Sequence, residues 1–202
     1  MHDTPIEIPT VDELRASMRR QGHIGNNTVF WHGDVPDKLD LLYARSLEPK
    51  GHTLEYCLHP EDQYFSWHVF QRQPWDHPYW KNMAWALAHE SKGSVWVLMS
   101  GQRARHVEPI SDSLFFNYAF GVLRKNSKIE RIMGVICKLP DGEKWDCVNR
   151  VIWEQGDELI YHMTDTDFEF GRTLRALQEG DFEMVGLQQC PPRESMILLT
   201  LR

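Results

Sequence analysis

Basic charge is in short supply in this chain. Its 22 Lys and Arg stand against 29 Asp and Glu, a formal net charge of -7, whereas a nucleic-acid surface needs clustered cations facing phosphates. The nearest basic run, Arg103-Ala104-Arg105-His106, is too short for a nucleic-acid arm and reads as a solvated loop or a local spot for one anionic ligand. Cysteine is sparse too: Cys57, Cys137, Cys147 and Cys190 form no CxxC pair and keep no zinc-like spacing with histidine, which argues against a structural metal. Cys137 lies in an apolar run and is expected as a buried thiol, so nothing in the pattern requires an oxidising compartment. The histidines are scattered, without an acidic or thiol partner at ligand spacing, and no metal is expected. No apolar stretch approaches the ~18 residues of a membrane span, and Met1–Pro5 lacks a signal-peptide pattern. The expectation is a soluble, cytoplasmic chain without nucleic-acid or membrane partners. A Gly-rich phosphate loop and internal repeats are missing as well.

Aromatic residues, by contrast, are plentiful. Eight Trp supply large rigid surfaces for a core and for stacking on planar ligands. Hydrophobic spacing predicts a helix over Val11–Gln21 ended by Gly22, a turn at Gly25-Asn26-Asn27 and a short apolar stretch at Thr28–Trp31. Asp34 and Pro36 mark a second helix start, with Leu39, Leu42, Tyr43 and Leu47 at helical spacing. Glu61-Asp62 reads as a helix N-terminal charge pair. The clearest helix opens at Pro78 and is expected to end at a Gly93 cap, with Trp80, Met83, Ala84, Leu87, Ala88 and Ser91 on one apolar face. Ser94–Ser100 and Lys128–Lys138 read as strands, Phe170–Glu179 as a helix ending at Gly180. Glu158–Met163, Phe182–Leu187 and Ser195–Leu201 are further strand candidates. Apolar strands separated by helices give an α/β fold, a helix-rich N-terminal lobe packed on a small, mostly parallel sheet lobe. The expected divisions are 1–27 as an N-terminal extension and helix, 28–93 as a helical lobe with pocket walls, and 94–202 as the α/β lobe. The seam near Pro78 is a natural place for a ligand cleft.

Four segments carry the chemistry: Thr28-Val29-Phe30-Trp31-His32-Gly33, Thr53-Leu54-Glu55, Tyr79-Trp80-Lys81 with its helix, and Ser113-Leu114-Phe115-Phe116-Asn117-Tyr118-Ala119. Each alone is common. In this order and spacing, over roughly residues 28–188, they resemble the ADP-ribosyl cyclase family, whose animal members turn NAD into cyclic ADP-ribose, ADP-ribose and nicotinamide. Trp31-His32 matches the family's Trp-Ser pair, Thr53-Leu54-Glu55 is unchanged, and Tyr79-Trp80-Lys81 matches Phe-Trp-Lys. Met99-Ser100-Gly101-Gln102-Arg103 stands at Asn-Gly-Ser-Arg, and Leu114–Ala119 at Thr-Phe-Gly-Ser-Val-Glu. The departures are Gly33 for an Arg, Ala84 for a Ser, the loss of most family disulfides, and Ala119 where the catalytic Glu stands.

The resemblance implies a cyclase-like fold and an N-glycosidic cleavage through an oxocarbenium-like state. Nicotinamide leaves readily, so the useful group is a carboxylate near the ribose and its developing charge. Ala119 cannot supply one, and the chain is expected to be an engineered or natural inactive form of an NAD glycohydrolase. Trp31 and Trp80 would wall the nicotinamide, Trp80 doubling as core. Glu55 would meet the carboxamide, while Phe30, His32, Leu54, Ser113, Leu114 and Phe115 would line the rest, main-chain NH groups near Ser113 holding the diphosphate. Phe115, Phe116 and Tyr118 also read as strand-packing aromatics. NAD is then substrate rather than cofactor, and NAD and ADP-ribose are the partners. A toxin delivered to another cell's cytoplasm would add an immunity protein. Two other readings stand beside it. One is a nucleotide-binding pseudoenzyme. The other is a mono-ADP-ribosyltransferase suggested by His32-Gly33-Asp34, for which a carboxylate pair is missing.

Overall fold

The first helix, α1 (Val11–Gln21), forms where its ends dictate. Thr10 Oγ1 accepts from the Glu13 amide, the Glu13 carboxylate accepts from the Thr10 amide, and Gly22 at φ +73° stops the helix, a reciprocal cap that satisfies two orphan donors. In the computed structural model of the protein, the described residues are 7–22, 24, 26–32, 38–70, 73–74, 76–99, 113–138, 144–156 and 169–175. They build β1 (Thr28–His32), α2 (Leu39–Ser46), β2 (His52–Thr53), α3 (Pro60–Phe70), α4 (Pro78–Glu90), β3 (Gly93–Met99), α5 (Gly121–Lys125), β4 (Ile129–Lys138), β5 (Lys144–Glu154) and β6 (Glu169–Arg175). Asp34, Pro36, Arg103–His106, Gly180, Cys190 and the strand candidates at Glu158–Met163, Phe182–Leu187 and Ser195–Leu201 lie outside the described residues.

The strands join one six-stranded sheet in the order β2-β1-β3-β4-β5-β6. The pairs β1/β2, β1/β3 and β3/β4 are parallel, and β4/β5 and β5/β6 antiparallel, so the sheet is mostly parallel and the fold mixed α/β. Strands from both expected lobes share it. Strands β1, β3 and β4 read as near-continuous apolar runs because both faces are covered. Phe30, Val95, Val97 and Met99 pack with α1, α4 and α5 residues such as Met18, Met83, Leu87 and Leu123. Val29, Leu98 and Val135 pack on the other face with Leu39, Tyr43 and Leu47. Among the described residues no helix is long and apolar enough to cross a membrane.

Three expectations are corrected by the packing. The helix from Pro78 ends at Glu90, not at a Gly93 cap. Ser91 ends it by returning its amide and its hydroxyl to the Leu87 carbonyl while the hydroxyl also meets Thr28 Oγ1 at 2.8 Å. Gly93, at φ +66°, instead opens β3, where a Cβ would stand 2.7 Å from Asn26 Oδ1. The helix expected over Phe170–Glu179 is, as far as Arg175, strand β6, because the free edge of β5 offers a ladder partner for its backbone and such pairing overrides weak local preference. Strand β5 was not expected at all. Cys147 on β5 is disulfide-bonded and lies opposite Cys137 in the ladder, whereas Cys57 is free and buried. A disulfide belongs to oxidising compartments more than to the cytosol.

Helices α1 and α4 are clamped through Glu90. Its carboxylate accepts from Arg15 Nε at 2.7 Å and from Arg19 Nη2 and Nε at 2.7 and 3.0 Å. Burial alone would raise its pKa, but the hydrogen bonds and charges of Arg19 and Arg15 hold it below the usual carboxylate range. A lowered folded-state pKa contributes stability above the unfolded value and loses it as pH falls through the folded one. Glu90→Gln is therefore expected to cost about 1–2 kcal/mol at neutral pH, the exposed arginines limiting the effect. In urea denaturation the gap between the two proteins should close below about pH 4.

Candidate functional site

Connectivity picks out one end of the sheet. From β1 the chain leaves through α2 on one face towards β2, and from the neighbouring β3 it leads to α5 on the other face and on to β4. Connections that leave two adjacent strands in opposite directions open a crevice at the carboxyl ends, where α/β sheets bind ligands. Here the crevice lies between β1 and β3, whose last residues His32 and Met99 are register partners.

Two hydrogen-bonded pairs stand at this edge. The first is Trp31 and Glu55. Strand β2 ends at Thr53 and the chain folds into a single tight 3₁₀ turn, Leu54–Tyr56. Leu54 is anchored in the core, Cys57 Sγ donates to the Leu54 carbonyl at 3.3 Å, and Gln63 on α3 donates its side-chain amide to the Glu55 carbonyl. The Leu58 amide donates to Gln63 Oε1 at 3.3 Å, so the turn is pinned. It brings Glu55 Oε1 within 3.3 Å of the half-buried Trp31 Nε1, which donates to it. The other carboxylate oxygen, Glu55 Oε2, and the neighbouring hydroxyl Thr53 Oγ1 are buried without a hydrogen-bond partner. Leaving such atoms unmatched costs about 1–3 kcal/mol each, which a ligand carrying N–H groups would relieve. Burial first, then the Glu55 charge, push the Cys57 thiol up. Burial also raises the Tyr79 phenol, against a Ser66 hydrogen bond that lowers it, with Cys57 and Glu55 adding to the rise. The carboxylate's charge thus reaches both α4 and the turn.

The second pair is His32 and Ser113, both buried, with Nδ1 and Oγ 2.7 Å apart. Ser113 also starts a helix, accepting from the Phe116 amide at Oγ (3.1 Å) and from the Asn117 amide at its carbonyl (3.0 Å). The aromatic segment forms a π-helical turn, Phe115–Phe120, running into α5. The wider turn lets Phe115, Phe116, Ala119 and Phe120 all face inward, and such turns recur at functional sites. Phe115 packs on Phe30 at 5.4 Å between centroids, and Phe116 meets the His32 ring edge-on at 4.8 Å.

The expected site residues thus divide. Trp31, Leu54 and Glu55 come together, and so do Phe30, His32, Ser113, Leu114 and Phe115. Trp80 takes the core part of its expected double role: it is 3% exposed, its Nε1 donates to the Gln73 carbonyl at 3.3 Å and its ring is edge-on to Tyr79. Ala119 has no exposed surface and sits in the same core cluster. Gln63 was not anticipated, and Phe116 only as a strand-packing aromatic. Nothing local marks Gln63, whereas Thr53 lay inside the quoted Thr-Leu-Glu motif. Gly33, Glu108, Asp112 and Ser100–Arg103 lie outside the described residues, and among the described residues no group of three or more His, Cys, Asp or Glu could hold a metal.

No protein-family model matches the chain, and no curated protein does. Two solved structures are similar in part. One is Aplysia cyclase complexed with substrate NGD and product cGDPR, at 19% identity and a TM-score of 0.36. The other is an ADP ribosyl cyclase complexed with N1-cIDPR, at 19% identity and a TM-score of 0.39. Each match covers 55% of this chain and 49% of the other, so it spans about half the length of those structures.

Proposed function

We propose that this chain binds NAD or an ADP-ribose nucleotide at the carboxyl edge of β1, β2 and β3 and cleaves the nicotinamide N-glycosidic bond of NAD slowly. The supporting observation is the Trp31–Glu55 pair, with Glu55 Oε2 and Thr53 Oγ1 buried and unmatched beside it. The carboxamide N–H groups of nicotinamide are donors of the kind those acceptors lack, and Trp31 offers an aromatic surface for the ring. In the reaction, the bond between ribose C1 and the pyridinium nitrogen breaks and its electron pair stays with nicotinamide. Water then adds to C1, giving ADP-ribose and releasing a proton. Because nicotinamide leaves as a neutral base, no general acid is needed, and a nearby carboxylate stabilises the cationic sugar.

Ala119 provides no such carboxylate and is enclosed in the core, which leaves Glu55 as the acidic group of the described site. Lacking one electrostatic stabiliser lowers turnover by about 10²–10³, so nicotinamide release should be slow. The enclosure of Ala119 favours a second reading, nucleotide binding without turnover. Incubation with NAD and chromatography of the products separates them. Nicotinamide release that is abolished by Glu55→Gln supports slow cleavage. NAD binding with no release supports the second reading, and neither binding nor release removes both.

A further inference from the structure

On one face of the sheet, α4 and the helix formed by the π-helical turn and α5 run side by side, each passing towards the amino end of the strand that follows it. Between them lies a cleft of about 520 Å³, lined among others by Trp85, Asn117, Tyr118, Gly121 and Lys125. Ligand pockets span roughly 300–1,000 Å³. Trp85 is 46% exposed, the only exposed large hydrophobic among the described residues, and offers the cleft an aromatic surface on which a planar group can stack. Gly121 is helical, and a Cβ there would meet nothing within 4 Å.

The walls are held in place. Asn126 Nδ2 donates to the carbonyls of Ala88 and Ser91 at 3.2 and 2.9 Å, tying the end of α5 to the end of α4. Lys81 Nζ sits 5.5 Å from the Tyr118 ring centre and ties the helices together through that ring. The charge is one-sided: no lining residue is acidic, and among the described residues no carboxylate stands within ion-pair distance of Lys125. His89 contributes no cation at neutral pH, since burial and the Arg15 charge lower its pKa.

We infer that this cleft is a second ligand site, for a small planar aromatic anion whose ring stacks on Trp85 and whose anionic group meets Lys125. A nucleoside monophosphate and an aromatic carboxylate share that chemistry. The inference does not depend on the Trp31–Glu55 site. The test is calorimetric titration of AMP and, separately, of benzoate into the parent chain, Trp85→Ala, Lys125→Gln and Glu55→Gln, each checked for native circular dichroism. The expected result is binding of at least one of the two, the stronger naming the source. That binding should weaken roughly 10-fold in Trp85→Ala, about 3- to 5-fold in Lys125→Gln, and stay unchanged in Glu55→Gln. Adenosine, which lacks the anionic group, should bind the parent as weakly as AMP binds Lys125→Gln. Absence of binding by both anions, or an affinity untouched by Trp85→Ala, overturns the assignment.

Discussion

Ala119→Glu is expected to destabilise the protein by about 3 kcal/mol or more and to leave nicotinamide release no faster. The family resemblance points the other way, since a carboxylate at that position would complete the reaction. Packing decides between them. Ala119 is 0% exposed, inside the cluster that joins the π-helical turn to α4, with Met83, Ala84 and Leu87 among its members. A glutamate there adds volume to a filled core and buries a charge without a partner, two costs that the fold has no ready way to relieve. Protonating the new side chain removes part of the second cost and none of the first. Thermal and urea denaturation of the variant read the effect directly. A variant as stable as the parent that releases nicotinamide quickly would mean that residue 119 opens on the ligand after all.

Glu55→Gln is expected to weaken NAD binding by roughly 10- to 100-fold, the worth of a charge-assisted hydrogen bond to a carboxamide, while leaving unfolding stability at or slightly above the parent's. The separation of the two readouts carries the argument. In the unliganded protein, Glu55 holds one oxygen for Trp31 and buries the other without a partner. A carboxylate whose one buried oxygen has no partner is a poor stabiliser, so neutralising it costs the fold little. Its value lies in what it offers a ligand. Trp31→Ala should lose affinity too, but with a stability loss as well, because the ring packs against both core clusters. A Glu55→Gln protein that is markedly less stable yet binds NAD as the parent does would make Glu55 a structural residue.

How far the sequence foretold this molecule depended on the range of the forces involved. Helix α1 and the body of α4 follow from local rules: a capping box, a proline at the first turn and a single apolar stripe. Strands β1, β3 and β4 announced themselves as apolar runs, the signature of burial on both faces, whereas the short parallel β2, His52–Thr53, did not. What local pattern did not carry was pairing. Strand β6 looked helical until the edge of β5 claimed its backbone, and β5 mixes Lys, Asp, Asn and Arg with its apolar residues. The aromatic run 115–120 was read without its π-helical geometry, because an extra residue per turn leaves the composition unchanged and shifts which side chains face inward. At the site, the Thr-Leu-Glu motif and Trp31 were visible as residue types, and the structure adds the hydrogen bond that joins them. Trp80 and Ala119 are both enclosed by the core, which a position in a motif does not by itself announce.

The most direct test of the central claim, that Trp31 and Glu55 form the nucleotide site, is NMR observation of the indole N–H resonances during an NAD titration, with Trp31 assigned through Trp31→Phe. The account predicts that the Trp31 resonance moves in step with saturation, as its hydrogen bond to Glu55 feels the incoming carboxamide. A Trp31 resonance that stays still while NAD saturates the protein, or a protein that binds no NAD, would contradict it.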